Sequence, residues 1–274
     1  MNNNGNILIA VAPNGARRKK VDHPNIPLNY FEIGQTAKEC LAAGASMMHL
    51  HVRNPEDDSH SLSVDLYRQA IAEIEKVTDD EIFIQVTSEA VGIYSPEEQF
   101  EMIHNLKPSA VSLCVREINS LDESVIHQHF LKMKKANTHP QIIVFNQADL
   151  DQYHDWLARA VLPGNKYPLL LVIGRPNTKD SFENSYLTEV NIEKLKVSSW
   201  MICAFGENEY AAAKLAINLG GNVRLGFENN TVLADGSKAE NNAALIDQIQ
   251  EYLKLKKLQT VSLNQTKEMM APDW

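Results

Sequence analysis

The run His49-Leu50-His51-Val52-Arg53 places two imidazoles two residues apart at the end of an apolar stretch. If the stretch is a strand, side chains alternate and both rings face the same way. Two neutral imidazoles on one face can share a divalent metal, and zinc suits them well. The plainer alternative is a pair of core histidines.

A second run, Arg224-Leu225-Gly226-Phe227-Glu228-Asn229-Asn230, ends another apolar stretch. By alternation Arg224, Gly226 and Glu228 share a face, and Gly226 leaves room between two long polar side chains. Two histidines and one carboxylate leave an open metal position, the pattern of a catalytic rather than a structural zinc. Without the histidines, a structural Arg224–Glu228 ion pair would be the better reading. His127 and His129 have the same spacing. They fall in an expected helix, where residues two apart diverge, so no metal is expected there.

The elements that must position these groups follow from the apolar pattern. Short runs rich in Val, Ile, Leu and Met cover residues 7–12, 46–52, 82–87, 110–115, 141–145, 168–174, 200–205 and 222–227. Their nearly continuous apolar character fits strands buried on both faces, as in a parallel sheet. Helical segments follow each run. Asn29, Ser63 and Ser95 are cap residues, and Pro96 suits a first helical position. Further helices are expected over 121–136, 149–161, 188–195, 209–219 and 240–255, with Gly220-Gly221 as a stop. Eight strand–helix units of about 34 residues each fit a (β/α)8 TIM barrel as a single domain over residues 1–274. A doubly wound sheet is the runner-up, but no G-x-G-x-x-G follows the first strand and no P-loop motif occurs. In the barrel, the second and eighth strands both neighbour the first. The two runs then meet at the C-terminal mouth, where active sites of this fold lie.

Composition limits the partners. Lys and Arg number 26 against 35 Asp and Glu, a formal net charge of −9 that disfavours nucleic acid. Three scattered cysteines with no CxxC pair argue against disulfides and thiolate zinc. No apolar run nears the ~18 residues a membrane span needs. The opening MNNNGNILIAVAP is not the pattern of a secretory signal, so a cytoplasmic location is expected.

The segments AVAPNGA, VDHPNIPLN, AGASMMHLHVRNPED, IQVTSEA, KPSAVSLC, IGRPN and GGNVRLGFENN together resemble the β-keto acid cleavage enzymes. These are zinc-dependent barrel proteins, and the resemblance covers almost the whole chain. It implies that His49, His51 and Glu228 hold zinc. It implies a homotetramer that takes a β-keto acid and acetyl-CoA and yields acetoacetate and a new acyl-CoA. The reaction resembles a Claisen addition followed by cleavage, with the metal stabilising enolate charge. Thr87 matches a hydroxyl residue near the reacting centre, Ser112 one at the fourth strand end, and Arg224 the arginine that pairs with the base. Asn14, Arg17, Ser88, Ser112 and Asn146 are the candidate substrate-binding residues.

The chain also departs from the family. Asn229 stands where the family's aspartate base stands, and an amide cannot accept a proton at neutral pH. It remains a catalytic candidate by position, with Glu89 and Glu209 as possible replacement bases. Restoring aspartate at 229 should raise activity if a base is missing. Ser88-Glu89-Ala90 replaces a Thr-Gly-Gly and must reshape that wall. Cys114 replaces an asparagine, and Ile143 and Asn146 stand where the family meets a substrate amine with acidic groups. Arg17 replaces an acidic residue of one type of the family. A neutral or differently charged substrate is therefore expected. Arg17-Arg18-Lys19-Lys20 reads either as an anion clamp or as a solvated loop, and Arg175 adds a cation at the sixth strand end. Two other functions stay open: a zinc-dependent lyase or aldolase without CoA, and a catalytically impaired metal-bearing protein that binds a small acid.

Overall fold

Eight parallel strands close on themselves in this computed structural model, which describes residues 5–174, 195 and 197–274. The strands are β1 (Ile9–Val11), β2 (Met47–Leu50), β3 (Phe83–Thr87), β4 (Ala110–Cys114), β5 (His139–Val144), β6 (Tyr167–Ile173), β7 (Val197–Ala204) and β8 (Asn222–Leu225). Each pairs with the next, and Val223 opposite Ile9 joins β8 to β1. The expected (β/α)8 TIM barrel is therefore the observed fold. Arg175 and nearly all of the helix expected over 188–195 lie outside the described residues.

Helices cover the outside. They are α1 (Tyr30–Ala42), α2 (Val64–Thr78), α3 (Pro96–Leu106), α4 (Glu123–Ala136), α5 (Gln147–Ala158), α6 (Glu209–Asn218), α7 (Asn242–Lys256) and α8 (Leu263–Met270). The cap residues act as expected: Asn29 and Ser63 accept from backbone N–H groups, and Ser95 and Glu98 form a capping box.

Alternation divides the core. In β2, Met48 and Leu50 pack outward under the helices, whereas Met47 joins the barrel interior with Leu8, Ala10, Phe83, Ala110, Leu170 and Met201. Val261 and Met270 close the N-terminal end of this interior. That end is filled with apolar side chains, so the polar site can form only at the other end. No helix among the described residues is long and apolar enough to cross a membrane.

The first strand differs from expectation. Asn6–Ile7 pairs with Gln259–Thr260 outside the barrel, and only Ile9–Val11 enters it. The Asn222 side chain accepts the Leu8 N–H at 2.9 Å, which serves that donor where the ladder is interrupted. A short hairpin, Val52–Arg53 with His60–Ser61, also follows β2 and was not foreseen.

Candidate active site

His49 projects inward from β2, and His51 follows just past the strand end. Both are almost completely buried. Their Nε2 atoms lie 3.1 Å apart. Glu228 Oε2 lies 3.4 Å from His51 Nε2 and 3.8 Å from His49 Nε2. Burial pushes both imidazoles well below the ordinary histidine range, which keeps them neutral, the form that binds metal. Gln85 Oε1 accepts from His49 Nδ1 at 2.8 Å, which leaves the His49 Nε2 lone pair facing the cluster. Gln85 is in turn held by Gln141, to which its amide donates at 3.0 Å. Glu228 Oε2 is buried without a hydrogen-bond partner. Two imidazole nitrogens and a carboxylate oxygen converging this closely are a fit for a divalent cation. The histidines of the second spaced pair do diverge: His127 meets the Ala160 and Val161 carbonyls, while His129 stacks on Phe100.

Glu228 does not come from the strand itself. β8 ends at Leu225, and Gly226 turns the chain at φ +136°. A Cβ at Gly226 would sit 2.3 Å from the Ala12 carbonyl oxygen, so only glycine fits. Phe227 then drops into a separate apolar cluster with Ile26, Leu28, Ala239 and Leu245, and its N–H is accepted by Asn242 at 2.8 Å. With Phe227 anchored outward, Glu228 points in. Gly226→Ala is expected to cost about 2–4 kcal/mol through the strained φ and the clash with fixed backbone. Thermal denaturation of the purified variant measures it.

Glu209, at the start of α6, supports the same turn from beneath. It accepts from the Gly226 N–H at 3.1 Å, from Asn229 Nδ2 at 3.4 Å and from Asn230 Nδ2 at 3.3 Å. Burial pushes its carboxyl up to about 8. Arg18 holds the turn from above by donating to the Glu228 and Asn229 carbonyls. Arg53 is buried and donates to the carbonyls of Asn14, Gly15, Arg18 and Asp58, fixing the loop that carries Asn14, Arg17 and Arg18.

A cavity of about 460 Å³ opens over the three candidate ligands. Asn14, Arg17, Thr87, Ser88, Ser112 and Arg224 line it, together with His49, His51 and Glu228. Arg224 is 3% exposed; its Nη2 donates to Glu228 Oε1 at 3.0 Å, while Nε and Nη1 have no partner. Asn14 Oδ1 and Ser112 Oγ are likewise buried and unpartnered. Thr87 Oγ1 accepts from the Glu89 N–H at 3.0 Å, so its own proton remains to be donated. Ser88 is used internally: its hydroxyl donates to the Ser112 carbonyl at 2.7 Å.

Three sequence expectations change. Asn229 is fully buried and does not line the cavity; Cys203 donates to its Oδ1, and its amide nitrogen faces Glu209 and the Arg224 carbonyl. It braces the turn rather than facing the cavity. Asn146 is exposed and caps α5 by accepting from the Asp149 N–H, because the chain turns into the helix directly after Phe145. The basic run is not one clamp: Arg17 pairs with Glu89 at 2.8 Å, Lys19 donates to the Asp57 carbonyl, and Lys20 pairs with Glu32. Gln85, Gln141 and Glu117 join the site without being candidates by motif or spacing. The first two carried a signal, a polar residue at an inward position of an apolar strand. Glu117 carried none, since the single helical turn Val115–Ile118 that presents it was not foreseen.

A family model described as beta-keto acid cleavage enzyme matches residues 6–271. The chain belongs to that family. Among its relatives is the 3-keto-5-aminohexanoate cleavage enzyme of Acetoanaerobium sticklandii, 29% identical over 250 residues covering 89% of this chain and 90% of that one. Another is the 3-dehydrocarnitine:acetyl-CoA trimethylamine transferase of Rhizobium meliloti, 27% identical over 277 residues and 89% of each chain. Among solved structures, apo ObcA superposes with a TM-score of 0.68 at 17% identity, covering 92% of this chain and 66% of that one. At that identity the likeness speaks for the barrel alone.

Proposed function

We propose that the protein is a zinc-dependent enzyme that exchanges acyl groups between a β-keto acid and acetyl-CoA. The observation that carries this reading is the pairing of the His49, His51 and Glu228 cluster with the buried, partly unpartnered guanidinium of Arg224 in one cavity. His49, His51 and Glu228 would hold the zinc, which supplies Lewis-acid polarisation of the keto and carboxylate oxygens.

The chain's own residues do the rest. Arg224 Nε and Nη1 offer charge-assisted donors to the developing enolate or the substrate carboxylate. Thr87 and Ser112 offer hydroxyls from the neighbouring strand ends. Glu209 is removed as a base because it is enclosed beneath the turn. Glu89 takes that role: it lines the cavity, and its charge acts on His51, Arg224 and Arg53. Arg17 holds the Glu89 carboxylate from the solvent side.

Glu89 removes a proton from the carbon between the two carbonyls. That carbon attacks the acetyl carbonyl of acetyl-CoA and releases the CoA thiolate. The thiolate attacks the original keto carbon, and the bond between that carbon and its neighbour breaks. The products are a new acyl-CoA and an acetoacetate carbanion, to which Glu89 returns the proton. Atoms and charge balance without an oxidant or reductant.

Incubating the zinc-loaded protein with acetyl-CoA and β-keto acids is expected to yield acetoacetate and acyl-CoA in equal amounts, read by chromatography. Cleavage that proceeds without acetyl-CoA would sink the CoA-exchange reading in favour of a lyase.

A further inference from the structure

The cavity has two chemically distinct halves. Strands β8, β1, β2 and β3 and the loops after them, with Ser112 of β4, contribute its polar part, described above. Across the barrel the strand ends of β4 to β7 present Cys114, Ile143, Phe145, Val172 and Phe205. Ile143, Phe145 and Phe205 are only partly buried, and they pack on the apolar interior of the barrel. Burial pushes the Cys114 thiol up to about 12, so it stays an uncharged wall atom. Carbon surface left facing a cavity in this way is surface that an apolar ligand group can cover.

The wall is built rather than incidental. Phe145 is fixed at its N–H by Asp149 Oδ2, 2.8 Å away, and under its ring by the Arg116 guanidinium, 4.5 Å from the centroid. Arg116 and Asp149 pair with each other, and Asp149 is set by the Asn146 cap. These two charges therefore brace the phenyl ring instead of meeting a ligand. The acidic groups at the cavity edge are also engaged. Glu117 accepts from the Ala90 N–H at 3.2 Å and from Gln99 Nε2 at 2.9 Å, and Glu89 holds Arg17.

Resting on the β-keto acid reading of the polar half, we infer that the substrate's tail, beyond the keto carbon, is uncharged and apolar. The carboxylate and keto oxygens sit at Arg224 and the candidate metal ligands, and the chain beyond them crosses the barrel to Ile143, Phe145, Val172 and Phe205. A tail ending in a carboxylate or an ammonium would be desolvated against Ile143, Phe145, Val172 and Phe205.

Three six-carbon acids test this, since they differ chiefly in the tail: 3-oxohexanoate, 3-oxoadipate and 3-keto-5-aminohexanoate. With the zinc-loaded protein and saturating acetyl-CoA, kcat/KM for 3-oxohexanoate is expected to exceed both others by at least ~10-fold. A higher kcat/KM for either charged acid overturns the inference and leaves the exchange reaction standing. If none of the three yields acetoacetate, the exchange reading fails, and thermal stabilisation of the same protein by each acid decides the tail separately. Stabilisation by 3-oxohexanoate above the other two supports the apolar wall; equal or reversed ranking overturns it. Ile143→Lys, at a half-buried position that lets the amine reach solvent, is expected to shift the preference toward 3-oxoadipate by ~10-fold or more. Should it instead raise only the KM for acetyl-CoA and keep the ranking of acids, the wall serves the CoA arm and the inference is wrong.

Discussion

His49→Ala is expected to strip bound metal from the protein and to lower acetoacetate formation by roughly 10³-fold or more, since Lewis-acid stabilisation supplies several kcal/mol. The fold should survive, because the apolar layer that closes the barrel lies at the opposite end. Metal content by elemental analysis and the thermal midpoint separate the two effects. Gln85→Leu is the graded companion. It removes the acceptor that fixes His49 Nδ1 but leaves all three ligands, so metal affinity is expected to fall about 10–100-fold. Full metal content and unchanged turnover in both variants would mean that the histidines are a buried network and nothing more.

Glu89→Gln carries the second large effect. Removing the proposed general base is expected to lower kcat about 10²–10⁴-fold with metal content unchanged. The sequence alone points to another repair, Asn229→Asp, as a gain of activity. The structure reverses that expectation. An aspartate at 229 would face Glu209, whose oxygen now lies 3.4 Å from the Asn229 amide, and would face away from the cavity. Two enclosed carboxylates at that separation cannot both ionise cheaply. Glu209 already holds its proton up to about pH 8 through burial, so a folded state with both acids retains protons that the unfolded chain has lost. Stability then falls as pH rises. Asn229→Asp is expected to show no gain in turnover and a thermal midpoint that drops further at pH 8 than at pH 5. A rise in turnover at unchanged stability would return position 229 to the chemistry.

These two cases mark where local information ends. Strand alternation is a property of the backbone, so His49 and His51 could be put on one face from spacing alone, and the apolar runs sufficed to count eight strands. Helix caps were equally legible, because Asn29, Ser63 and Ser95 act on N–H groups three residues away. Past a strand end the rule lapses. Whether Glu228 or Asn229 faces the cavity depends on the left-handed turn at Gly226, on Phe227 seating in a cluster with Ile26 and Leu245, and on Glu209 gathering the turn's donors.

The same distinction separates the two candidate bases, Glu89 and Glu209. Both are acidic residues near strand ends, and nothing in their sequence neighbours tells them apart. One lies in the cavity edge beside Arg17; the other is enclosed under the turn of the next strand. Ile143 could be read as facing the site, but that Phe145 is braced by Arg116 and Asp149 into an apolar wall could not. The sequence by itself determined the barrel, the family and the shared face of His49 and His51. Only the tertiary structure decided which polar groups face the cavity and which serve the backbone. Those roles are set by contacts between strand ends and loops far apart in the chain, where burial and the available donors, rather than residue type, fix each group's charge and direction.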